Sequence, residues 1–340
     1  MNFLARLLGR EEPGDAPDRL LAGEIMERLL LLNPQLRLVR RHAARLQPAI
    51  EVAIRHMNGI VAGVPPAREA SAAVWSNDPY IHAFFAAPDD VARALSRSAD
   101  LRAFFEQQPD VDEAYAVLGM AMTEKHTLGV ALEGQTMRRD VRQTIVSFSD
   151  HQVRICGRTE PQLRREIVRR LVDQLGLDGL VRIAAGKSRR DLLEQERALL
   201  RTRVQILERQ GVGLRSVLGQ EAGPGAEEVA ELQEQIADNA RRLASLGVKS
   251  EALERELEQL CAVLSEPGPH IYVESKQFRL DRMNVVLPDN RTEGGCALTI
   301  QVARIPTTPP QLRAFALVRF ARAELLPAVS LLDEASRLLG

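Results

Sequence analysis

The chain has 340 residues, 45% of them apolar and 27% charged, with a formal charge of −1. That length and composition supply one or two sizeable cores and exclude collagen-like, disulfide-scaffold and wholly disordered chains. The near-zero charge argues against a main role in neutralising phosphate or coating an acidic membrane. No apolar run approaches the roughly 18 residues a bilayer span needs.

Of the 45 basic residues only four are Lys (Lys125, Lys187, Lys249 and Lys276). With abundant Ala, this Arg excess reads as codon bias in a GC-rich bacterial genome rather than as phosphate recognition. Cys156, Cys261 and Cys296 are odd in number and lack zinc-type spacing. They read as small buried hydrophobes in a reducing, cytoplasmic protein. No cofactor or metal is expected.

At the start, Phe3, Leu4, Leu7 and Leu8 share one helical face beside Arg6 and Arg10. A membrane-surface contact through residues 1–10 is weighed against docking on the protein's own domain, and docking is preferred. Residues 1–110 read as a helical region, with helices over 20–32 and 36–61 and a break at Gly63-Val64-Pro65-Pro66. Asn77-Asp78-Pro79 is a cap followed by proline, and Pro88-Asp89-Asp90 opens a further helix. Trp75, Tyr80, Phe84, Phe85, Phe104 and Phe105 are expected in a helical-bundle core rather than around an aromatic ligand.

From Ala114 the period changes to that of strands. Segments 114–123, 128–133, 141–148 and 153–156 are expected as a four-stranded meander, with turns at 124–127 and 149–152. A helix then runs from Glu160 to about Leu175, closed by Gly176, so that 111–187 forms a meander plus helix.

The strongest pattern lies in 188–266. Leu193, Leu200, Val204 and Leu207 occupy heptad core positions, with Arg197 and Gly211 as departures. After the reversal at Gly219–Gly225, Leu232, Ile236, Asn239, Leu243, Leu253, Leu257 and Leu260 follow at spacings of three and four. The first arm, 188–219, is net +3 and the second, 226–266, is net −6. Opposite-sign arms joined by Gly and Pro predict an antiparallel coiled-coil hairpin. Strand signals return at 271–274, 277–287 and 297–305, followed by a C-terminal helix from Gln311, so 267–340 is expected to share one core with 111–187. The expected class is α+β, with an N-terminal helical region, an antiparallel sheet built from two segments, and the hairpin inserted.

No phosphate loop, nucleophile elbow, zinc-protease or dinucleotide motif occurs. The leading expectation is a non-enzymatic interaction or scaffold protein whose hairpin engages a protein partner or a second copy. One alternative is nucleic-acid association through the Arg-rich 138–215 surface, net +8, where Arg164, Arg165, Arg169 and Arg170 could meet phosphates. Another is a metal or acid–base site at the meander rim, using His126, His151, Glu124 and Asp150.

Overall fold

The computed structural model describes residues 15–133, 136–218, 225–245, 249–287, 294–305 and 311–327. The expected amphipathic segment 1–10, the Gly/Pro reversal after Leu218 and everything beyond Pro327 lie outside them. The fold is α+β, and the chain divides into two compact units. The first comprises the chain up to Ala53 with Asp173–Glu266; the second comprises Ile54–Val172 with the chain from Pro267. The helical region expected over 1–110 is therefore shared between the units rather than standing alone.

The first unit holds α1 (Asp15–Leu32), a 3-10 turn (Pro34–Leu38) and the start of α2 (His42–Ala62). It also holds most of α6 (Glu160–Leu218), with α7 (Gly225–Ser245) and α8 (Lys249–Ser265). Helix α6 is unbroken for 59 residues, on the order of 90 Å. Gly176 does not end it. A Cβ there would lie 2.5 Å from Leu29 Cδ2, and one on Gly179 would lie 2.8 Å from Leu260 Cδ1. These glycines let α1 and α8 approach the α6 backbone, so tertiary packing outweighs their low helix propensity.

The second unit is built on one six-stranded sheet in the order β3-β2-β6-β5-β4, with β1 (Arg68–Glu69) parallel to β6. The strands are β2 (Glu113–Glu133), β3 (Thr136–Gly157), β4 (Tyr272–Leu280), β5 (Cys296–Ile305) and β6 (Gln311–Ala321). Both sequence segments thus contribute to a single sheet, as expected. The strands read at 271–274 and 277–287 are one, β4, which ends at Leu280, and three further details differ from the sequence reading.

The four-stranded meander is two long strands, β2 and β3, paired along their length as one hairpin. Only Glu113–Met120 of β2 also pairs with β6. Beyond that point polar residues face water on an arm with little core beneath it, so Glu124-Lys125-His126-Thr127 resembles a turn in composition only. The second supposed turn is a β-bulge in mid-strand, with Asp150 at φ 49°. Last, Gln311–Ala321 is a strand rather than a helix, and it is the sheet's central one. Its Leu, Ala and Arg favour helix singly, but the unbroken apolar run from Ala314 to Val318 suits a central strand between β2 and β5 with both faces covered.

Helices α3 (Pro79–Phe84), α4 (Pro88–Ser96) and α5 (Ala99–Gln107) cover one sheet face. Asp78 caps α3 as read from sequence, accepting from Tyr80 N at 2.8 Å and Ile81 N at 3.2 Å. Buried Phe84, Phe85 and Phe105 pack there with Ala116, Leu118, Ile300 and Val318 from the strands. The aromatic cluster therefore belongs to a helix-on-sheet core, not to a helical bundle. On the other face Tyr115, Val117, Phe315 and Leu317 meet Val64 after α2 and Leu163 and Ile167 of α6.

Candidate interaction surface

Helix α6 runs antiparallel to the pair α7 and α8. Lys187 Nζ lies 3.1 Å from Glu256 Oε2, and one helical stretch onward Asn239 Nδ2 donates to Glu196 Oε2 at 3.0 Å. Rising numbers on α6 therefore oppose falling numbers on its partners. Val204, Leu232, Asn239, Leu257 and Leu260 are buried, while Leu193, Leu200, Ile236, Leu243 and Leu253 are half-buried. The side chain of Leu207 lies outside the described residues. Asn239 Oδ1 and Arg197 Nε are buried with no hydrogen-bond partner among the described residues. Arg197 is one of the two departures from the heptad pattern, and Asn239 is a polar residue within it.

A feature the heptad reading missed lies on the opposite side of α6. Leu177, Val181, Leu192 and Leu199 are exposed at 39%, 62%, 64% and 73%. Together with Ala185 they fall within about 40° of a common line along the helix. The seam of Leu193, Arg197, Leu200 and Val204 faces away from that line. Steps of four, seven and seven from Val181 through Ala185 and Leu192 to Leu199 make a second apolar stripe. Its signal was present in the sequence, but one set of heptad leucines absorbed the assignment. Leu20, Leu31, Leu32 and Leu38 of the same unit are also well exposed. Aligned exposed leucines, unlike scattered ones, mark interaction surfaces.

The rim constellation does not assemble. His126 sits opposite Thr144 in the β arm, with Nδ1 3.0 Å from Thr144 Oγ1. His151 lies seven residues along β3 from Thr144, on the order of 20 Å away. Glu124 instead pairs with Lys276 at 2.9 Å, and Asp150 pairs with Arg313 at 2.8 Å. Hydrogen bonds from Gln152 and Arg313 hold the Asp150 carboxyl below its ordinary pKa. His151 turns to the helix-covered face, where its ring stacks on Phe85 at 4.7 Å and Nε2 lies 2.8 Å from Phe84 O. Burial lowers its pKa. No group of three His, Cys, Asp or Glu poised for a metal occurs among the described residues.

Three of the four arginines offered for phosphate are committed within the chain. Arg164 donates to the carbonyls of Val61 (2.6 Å), Val64 (2.9 Å) and Pro65 (3.1 Å) and pairs with Glu160. It closes the C-terminal end of α2, where a cation offsets the helix dipole. Arg169 and Arg170 both pair with Glu166. Burial alone would raise the Glu166 pKa, but these hydrogen bonds outweigh it and the carboxyl stays below its usual value. Arg165 is exposed.

Burial pushes the Cys156 thiol up to about 12 and raises that of Cys261. Those two behave as the hydrophobes expected; Cys296 is exposed. No helix among the described residues is long and apolar enough to cross a membrane.

No protein-family model, curated protein or solved structure matches this chain.

Proposed function

We propose that the chain is a non-enzymatic scaffold protein, in which α6, α7 and α8 form a coiled-coil hairpin and the outer stripe of α6 pairs with a second copy. The observation that carries this reading is the alignment of Leu177, Val181, Leu192 and Leu199 on a face opposite the intramolecular seam. The stripe extends about 33 Å at 1.5 Å per residue. A helix with a seven-residue apolar repeat is best covered by a helix of the same repeat. A two-fold axis through the stripe needs only one such surface per chain. Ala184 and Ala185 near its middle allow close backbone approach. The internal pairing of Arg164, Arg169 and Arg170 weighs against nucleic acid as the principal partner.

Light scattering coupled to size exclusion tests the proposal. The native chain is expected at twice its 37.7 kDa mass. A Leu192→Glu/Leu199→Glu variant is expected as a monomer with unchanged helix content by circular dichroism. A native monomer across the micromolar range would remove self-pairing.

A further inference from the structure

The sheet unit holds a cavity of about 210 Å³ on the face carrying Val117 and Phe315, beneath the last turn of α2 and the first turns of α6. Its lining residues are apolar apart from Gln152, Arg154 and Arg313. An apolar cavity of about 150 Å³ already stays dry and admits benzene, so this one is large enough for a small organic ligand.

Two features of the strands open it. Gly119 stands where β2 would otherwise project a side chain over the cavity, and a Cβ there would meet Gln152 O and Arg313 Nε only at 3.7 and 3.8 Å. Glycine is thus not required by backbone or by close contact; its effect is to leave space. Ile155, another lining residue, is the extra residue of a bulge and has φ 57°, a left-handed conformation that a β-branched side chain rarely adopts. Strain of this kind gathers at ligand sites.

The polar edge is a continuous network. Arg313 donates to Asp150 Oδ2 at 2.8 Å and to Asp150 O at 2.6 Å. Gln152 Nε2 donates to Asp150 Oδ1 and Oδ2 at 3.0 and 3.1 Å, and Arg154 Nη2 donates to Gln152 Oε1 at 3.3 Å. Arg313 meets the Asp150 carboxylate directly, whereas Arg154 reaches it only through Gln152. Arg154 also lies 3.7 Å from Asp100, but both partners are solvent-exposed and such a pair is weak. None of the cavity's lining residues is acidic.

We infer that this cavity binds a small amphipathic monoanion, a medium-chain or aryl carboxylate. Its apolar body fills the space above Gly119, and its head lies at the Arg313–Gln152–Arg154 edge. The site is independent of the α6 stripe, so either can fail alone.

Thermal unfolding of the full chain with octanoate or decanoate, against octanol and decanol, tests the inference. The acids are expected to raise the midpoint by several degrees in a saturable way, since a ligand that binds only the folded state stabilises it. The alcohols are expected to do so at least tenfold less effectively. Gly119→Val should fill the space, leave the unliganded protein folded and abolish the acid-induced shift. Gly119→Ala, the milder change, should weaken it several-fold. No shift with either acid would overturn the proposal, and so would an undiminished shift in a folded Gly119 variant. Equal shifts with acid and alcohol would overturn the anionic head.

Discussion

His151 illustrates how a residue suited to chemistry can instead be held by packing. Its Nε2 faces a carbonyl at 2.8 Å, so that nitrogen carries the proton and the ring is a donor. Desolvation keeps the folded-state pKa below the ordinary 6.5. As pH falls through 6.5 the unfolded chain takes up this proton before the folded one, so stability declines until pH passes below the folded pKa. Urea midpoints measured from pH 8 to 5 should therefore fall, and His151→Gln should flatten the part of the slope near 6.5. The same substitution should cost about 1–2 kcal/mol at pH 8, from the lost carbonyl bond and ring stack. Arg164 is the second residue with a strong expectation. Lys in its place keeps the charge but cannot span three carbonyls and Glu160, so Arg164→Lys should lose about 2 kcal/mol by chemical denaturation. A phosphate-contact role would leave stability unchanged.

At the scale of elements, α6 offers an internal comparison among its glycines. Gly186 is exposed, and a Cβ there would meet nothing within 4 Å, whereas one on Gly176 would run into Leu29, itself buried at 1%. Gly186→Ala should gain about 1 kcal/mol from helix propensity alone. Gly176→Ala should lose stability despite the same propensity gain, because Leu29 has no room to retreat. Thermal melts of the two single variants decide this. These glycines also explain why the sequence read a helix end at Gly176: local preference for a break is real, but packing against α1 and α8 overrides it. The Asp78 cap, the helical character of α7 and α8 and the joining of two strand segments into one sheet were legible, since caps and periodicity are local signals. Strand against helix at 311–321, and turn against bulge at 149–152, were not. Each was decided by a neighbour distant in sequence: β2 and β5 for the first, Arg313 for the second. The cavity was illegible for the same reason, being assembled from α2, α6 and five strands.

For the whole molecule, two features of the described residues stand out. The first unit carries aligned leucines on a helix of 59 residues, and the second carries a largely apolar cavity. An outer heptad stripe left in water is a liability unless another helix covers it, and self-pairing would cover it. The most direct measurement places a photoreactive benzoylphenylalanine at Gln195, beside the stripe, or at Arg201, on the far side of α6. Irradiation of the Gln195 protein should give a covalent dimer whose crosslinked peptide maps to residues 177–199 of the second chain, and the Arg201 protein should give little. No dimer from Gln195, or crosslinks mapping away from that stripe, would contradict the account.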